Sequence, residues 1–171
     1  MLCAFGFGSL GVTIEDLYFI DPDPEPGQEG AERGVRVELR LLEPQQWRGS
    51  VYASQRVLID QALWRADFFE SVSGGPGTKD RMHHHPLMKG DEPGGRVFDP
   101  ALTADPIGWL GDQMSGVTNI LEAAGTVWNE ADVAALRAAI PLLVGTVTTL
   151  LEQVRAGEIA LAPTRPMRVP G

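Results

Sequence analysis

The chain's three histidines are consecutive, in the run Arg81-Met82-His83-His84-His85-Pro86. Along a strand, alternation sends His83 and His85 to one face and His84 to the other, so the first and third imidazoles form an H-x-H pair suited to chelating one divalent metal. Two imidazoles do not complete a site. Zinc, iron and manganese require a third and usually a fourth donor, which Asp, Glu or water must supply here. A hairpin from Leu63 to His85 that turns about Pro76 sets Glu70 opposite His83 and Phe68 opposite His85. His83, His85 and Glu70 are therefore the expected metal ligands, a two-His-one-carboxylate group whose open positions let a metal activate water or oxygen. A one-residue slip instead puts Arg65, Asp67 and Phe69 on the histidine face, leaving Asp67 as the only carboxylate, beside an arginine that repels a cation. The segment Ser73–Asp80 is long enough to leave the register open. The plainer alternative is a hydrogen-bonded or solvent-facing histidine patch at a hairpin end.

Other reactive types are sparse. Cys3 is the single cysteine, which excludes an intramolecular disulfide and a Cys-x-x-Cys site and suits a reducing, cytoplasmic setting. Ser9 and Ser71 sit in no nucleophile-elbow sequence. Gly6-Phe-Gly8-Ser-Leu-Gly11 has the letters of a dinucleotide fingerprint but lacks the βαβ context, and it reads as a glycine-rich turn. Arg65, Asp67 and Glu70 read as sheet-face ion pairs, and Trp47, Trp64, Trp109 and Trp128 as packing residues.

Gly77, six positions before His83, makes Gly77–His85 resemble the start of the cupin motif, glycine, five residues, then H-x-H. That family also expects a glutamate soon after the second histidine and another histidine in a later strand. Glu92 stands too far along and there is no fourth histidine, so a standard cupin metal centre is not assembled. A longer likeness runs through Trp64-Arg-Ala-Asp67-Phe-Phe-Glu70-Ser71, His83-His-His-Pro86, Arg96-Val-Phe-Asp99 and Asp105-Pro-Ile-Gly-Trp109. These segments resemble the spaced core of a bacterial family of uncharacterised proteins, which implies that residues 35–110 form one unit and carries over no catalytic role.

The elements that must hold the histidines are strands. Val35, Val37, Leu39 and Leu41 alternate with Arg36, Glu38 and Arg40, the period of a strand with one buried and one wet face. Val12–Ile20, Val51–Asp60 and Leu63–Val72 are further expected strands, with Arg81–His85 as a short partner. Asp21–Gly30, with three alternating prolines, is an acidic loop. From Asp105-Pro106 the apolar spacing becomes three and four, predicting a helix over 106–124 with Gly111 and Gly116 as weak points. Asn129 caps a second helix in which Val133, Leu136, Ile140, Leu143, Val147, Leu150 and Val154 keep a heptad pattern. Pro141 is expected to kink that helix rather than divide it.

With 171 residues, 43% hydrophobic and 22% charged, the chain suits one globular domain. The expected boundaries are 1–156 for a single α+β domain, an antiparallel sheet with two C-terminal helices packed on it, and 157–171 for an extended or disordered Pro-rich tail. Acidic residues outnumber basic ones by 23 to 14, for a net charge of −9 that repels phosphate backbones and anionic lipid. No nucleic-acid or membrane partner is expected. Met1–Gly8 lacks the basic start of a signal peptide, and no apolar run is long enough for a transmembrane helix. A homo-oligomer or protein partner through the C-terminal helix is expected. The preferred function is a non-catalytic binding or assembly role, and the alternative is a small metal-dependent enzyme at the His83/His85 hairpin.

Overall fold

Val35, Val37 and Leu39 cannot all point one way unless the strand carrying them has a core on that side, and Arg36, Glu38 and Arg40 then face the other. In the computed structural model, which describes residues 1–163, this segment is β3 (Ala31–Pro44), the middle strand of a five-stranded sheet. The strands run β1 (Leu2–Phe7), β2 (Leu10–Ile20), β3, β4 (Val57–Ser71) and β5 (His83–His85), in chain order and antiparallel throughout. A two-stranded hairpin, β6 (Met88–Lys89) and β7 (Glu92–Pro93), follows. The α+β architecture expected from the sequence is thus observed.

Directly opposed residues share a face, so the register sorts the side chains into rows. Val12, Leu39 and Trp64 form one row, and Ile14, Val37, Ala66 and His84 the next. These rows face the helices: α1 (Pro100–Ala104), α2 (Pro106–Ser115), α3 (Val117–Ala123), α4 (Glu130–Ala138) and α5 (Ile140–Ala156). Leu102, Leu110, Leu121, Leu136 and Val147 join the strand residues in one buried cluster. Of the heptad positions, Val133, Leu136, Leu143, Val147, Leu150 and Val154 are buried and Ile140 packs against them, so this face is satisfied within the chain.

Three local expectations are corrected, and one helix is added. Val51–Asp60 and Leu63–Val72 are not two strands but one, β4, in which the apparent break at Gln61-Ala62 is a register shift against β3 around Arg40. Residues 51–53 lie in the turn before it. The predicted helix over 106–124 is divided at Gly116, which caps α2 and opens α3. Pro141 divides the last helix instead of kinking it, and the two parts meet at 49°. Placed in the first turn of α5, proline loses only a backbone donor that has no partner there anyway. Finally, α1 starts at Asp99-Pro100, the same cap-and-proline signal as Asp105-Pro106.

The Gly8 turn closes the hairpin of β1 and β2 with φ +65°, so the glycine-rich turn is present, and a strand does precede it. In the expected tail, Ala160 is buried and its N–H donates to Asp16 Oδ2 at 2.8 Å, so the segment just after α5 packs on the sheet. Residues 164–171 of that tail lie outside the described residues. Among the described residues, no single helix is long and apolar enough to cross a membrane.

Candidate metal centre

Three positions on the sheet face away from the helices converge at the end of the sheet. The register opposes Asp67 to His83 and Arg65 to His85, so the row Thr13, Glu38, Arg65, His85 runs beside the row Glu15, Arg36, Asp67, His83. Asp67 Oδ2 lies 3.3 Å from His83 Nε2 and 3.6 Å from His85 Nε2. The two imidazoles stand almost perpendicular, with centroids 4.9 Å apart. One ligand atom from each of the three residues falls within 4.8 Å of the others. Asp67 is 1% exposed, His83 0% and His85 5%, which puts the cluster inside the protein.

The backbone sets the direction of each ring. His83 Nδ1 is 2.8 Å from Arg81 O, and His85 Nδ1 is 2.7 Å from the carbonyl oxygen of Gly94, the residue that follows β7. A carbonyl oxygen only accepts, so both Nδ1 atoms carry hydrogen. In a neutral imidazole Nε2 is then a bare lone pair. Both Nε2 atoms lie within 3.6 Å of the same carboxylate oxygen, and His83 Nε2 is buried without a hydrogen-bond partner. Three acceptors facing one another in a dry site repel unless a cation or a proton sits among them.

Arg36 steadies the carboxylate from behind, its Nε donating to Asp67 Oδ1 at 2.7 Å and its Nη2 to Oδ2 at 3.2 Å. Burial alone pushes the Asp67 carboxyl up. With a proton on each Nε2, hydrogen bonds from His83 and His85, together with the Arg36 charge, outweigh that and hold it well below the usual carboxylate range. Arg65, the arginine expected to repel a cation here, donates to Glu38 at 2.7 Å, and Arg40 donates to the other Glu38 oxygen at 2.8 Å. The face read as wet is thus largely covered, with Glu38 5% exposed.

Glu70 is not brought to the histidines. It points to the helix face, where Arg155 Nε and Nη2 donate to its Oε1 at 3.1 and 2.5 Å and Gly77 N donates to Oε2 at 2.8 Å. The hairpin does not take the register that opposes Glu70 to His83, because seating Trp64 and Phe68 beside Leu39 and Val35 commits the odd-numbered positions of β4 to the other side. Asp67, the carboxylate left by the alternative register, takes that place. His84 crosses to the helix side, packing its ring 5.1 Å from that of Trp109. Burial lowers its pKa; Asp99 pulls it up, and His85 and His83 press it down again. Arg36 is a member of the site that the motifs do not single out; the signal for it is its place in an alternating strand, which makes it share a face with every second residue of the neighbours.

The histidine strand lies in an open sheet rather than the paired sheets of a cupin, and Gly77 belongs to the loop between β4 and β5. Compared with family models, curated proteins and solved structures, the chain matches none of them.

Proposed function

We propose that the chain is a metal-binding protein in which Asp67, His83 and His85 hold one divalent ion of the zinc class, and that the ion serves as a structural clasp. The observation that carries this is the clustering of both Nε2 atoms within 3.6 Å of one buried Asp67 oxygen while both Nδ1 atoms are tied to backbone carbonyls. An Nδ1–H bonded to a carbonyl is the usual outer support of a metal-bound histidine, and Arg36 supplies the equivalent support to the carboxylate. Ligands about 2.0–2.2 Å from a tetrahedral zinc stand about 3.3–3.5 Å from one another. The separations of 3.3 and 3.6 Å between Asp67 and the two histidines fit that spacing.

The same burial weighs against the catalytic alternative. A metal-dependent enzyme keeps a position open to substrate, and these three residues are closed off in this conformation. What the ion would join are β4, β5 and the β6–β7 segment through Gly94, parts of the chain otherwise linked by few strand hydrogen bonds. The role is then binding and stabilisation, within the non-catalytic class.

The test is elemental analysis and zinc titration of protein purified without a histidine tag. About one zinc per chain is expected, with zinc raising the unfolding free energy by about 2.7 kcal/mol at a hundredfold excess over Kd. His85→Gln and Asp67→Asn should each abolish the stoichiometric binding, and cobalt should give the visible bands of a tetrahedral site in the parent only. Folded parent protein that binds none of zinc, iron or manganese overturns the reading, and so does full zinc binding by both variants.

A further inference from the structure

The two edges of the sheet are treated differently. At one edge, β5 is covered, because His84 N donates to Val97 O at 3.0 Å and Val97 N to His84 O at 2.9 Å. At the other, β1 pairs only with β2 among the described residues. Asp16 N donates to Met1 O, so Met1 faces β2, and by antiparallel alternation Leu2, Ala4 and Gly6 direct their N–H and C=O groups outward. Natural edges are commonly blunted by charge, proline or a bulge; Leu-Cys-Ala-Phe-Gly-Phe has none of these.

We propose that β1 is the dimer interface of this protein and that its occupant is β1 of a second copy, paired antiparallel about a two-fold axis through Ala4. Such an axis opposes Ala4 to Ala4 and Leu2 to Gly6 of the second copy, so the outward groups of each strand meet the other's. The side chains are complementary in that register. Leu2, 59% exposed, shares a face with Gly6, beside which a cavity of about 250 Å³ is lined by Gly11, Leu42, Val57 and Ile59. A leucine from one copy thus falls over Gly6 of the other and against the cavity beside it, next to Leu42, which fills the space over Gly11 where a Cβ would meet it at 2.8 Å.

The helix side agrees. A groove of about 480 Å³ runs between Met1, just before β1, and Cys3 on one side and the outward side of α5 on the other, formed by Leu142, Gly145, Thr146 and Thr149. A two-fold axis normal to the sheet brings the second α5 to that same side, closing the groove with uncharged residues from both copies. For a chain of net charge −9, most surfaces repel their own copy. The β1 edge and its flanks, carrying no charge over Leu2–Phe7, are where two copies meet without like charges opposed. The heptad face of α5 is spent on the sheet, so the helix takes part only with its opposite side.

Sedimentation velocity across a wide concentration range tests this, with any purification tag placed at the C-terminus and removed. The parent should sediment as a species of twice the 18.5 kDa chain mass. Ala4→Pro, which deletes an outward donor at a position where an edge strand tolerates proline, should weaken dimerisation at least tenfold. Leu2→Lys changes only an exposed side chain and should do the same while keeping the parent's far-ultraviolet circular dichroism, which keeps the test decisive if the proline variant misfolds. In the parent, alkylation of Cys3 should slow as concentration rises and the groove closes. A monomeric parent at every concentration overturns the proposal, as does a dimer that survives Leu2→Lys and a folded Ala4→Pro.

Discussion

On the helix side of the sheet, Val12, Leu39 and Trp64 meet an apolar layer that includes Leu110 and Trp109, whose ring stacks 6.0 Å from that of Trp64. One residue along each strand, on the other side, Thr13, Glu38, Arg65 and His85 form a row of polar groups that is nearly as well buried at its centre. The same backbone thus supports two interiors. The first is non-directional: its stabilisation grows with apolar area and tolerates small displacements. The second works only at one register, because Glu38 needs both Arg40 and Arg65, and Asp67 needs Arg36 and the histidines. Buried ion pairs roughly cancel their own desolvation, so that side contributes specificity and a candidate metal site more than net stability.

Deletions separate the two interiors. The largest effect belongs to the apolar side, where Phe68→Ala should lower stability by about 3–5 kcal/mol in urea titrations, the sum of lost transfer energy and the cavity left behind. A loss under about 1 kcal/mol would mean that Phe68 is not a core residue. On the polar side, Glu38→Ala leaves Arg65 and Arg40 without their shared carboxylate and should cost about 2–3 kcal/mol, less than a fully buried pair because both arginines reach solvent. There the comparison sharpens: Glu38→Leu combined with Arg65→Met should recover most of that loss, since the one charge then left without its carboxylate is Arg40, which reaches solvent and keeps its bond to Asp60 O. Failure of the double variant to recover would assign the row a net stabilising role.

The smallest effect lies outside both interiors. Ser9 N and Ser9 Oγ donate to Asp132 Oδ2 at 2.9 and 2.7 Å, docking the β1–β2 turn on α4, and these bonds hold the Asp132 carboxyl below its usual value. A carboxyl depressed in the folded state contributes stability above its unfolded pKa of about 3.9 and loses it as pH falls through the folded value. Asp132→Asn should therefore cost about 0.5 kcal/mol at pH 6, after screening by solvent, and less as the pH is lowered toward 2. Equal urea midpoints for parent and variant at both pH values would show that the contact carries no charge-dependent stability.

Periodicity and caps are legible in the residue order itself. The alternation in Val35–Leu41, the heptad face ending at Val154, and the caps at Asp105 and Asn129 all depend on neighbours within a turn or two, and each is present in the fold. His83 and His85 are also legible as a pair, since alternation alone puts them on one face. Their carboxylate is not. Glu70 and Asp67 differ by an odd number of residues, so the choice between them is the choice of which face of β4 meets the helices. That choice is made by Trp64 and Phe68 packing beside Leu39 and Val35, far from the histidines in sequence.

The division at Ala139, the shift at Arg40 and the burial of Glu38 have the same origin. Each is settled by which surface lies opposite, and residue order does not record it. By itself the sequence determined the alternating central strand, the caps at Asp105 and Asn129, the class of fold and the histidine pair, because local backbone sterics and side-chain period act over a few residues. Only the tertiary structure decided that Asp67 joins them and that Glu70 joins Arg155, because strand register is set by long-range packing, which satisfies the apolar side first and leaves the polar side to what then falls opposite.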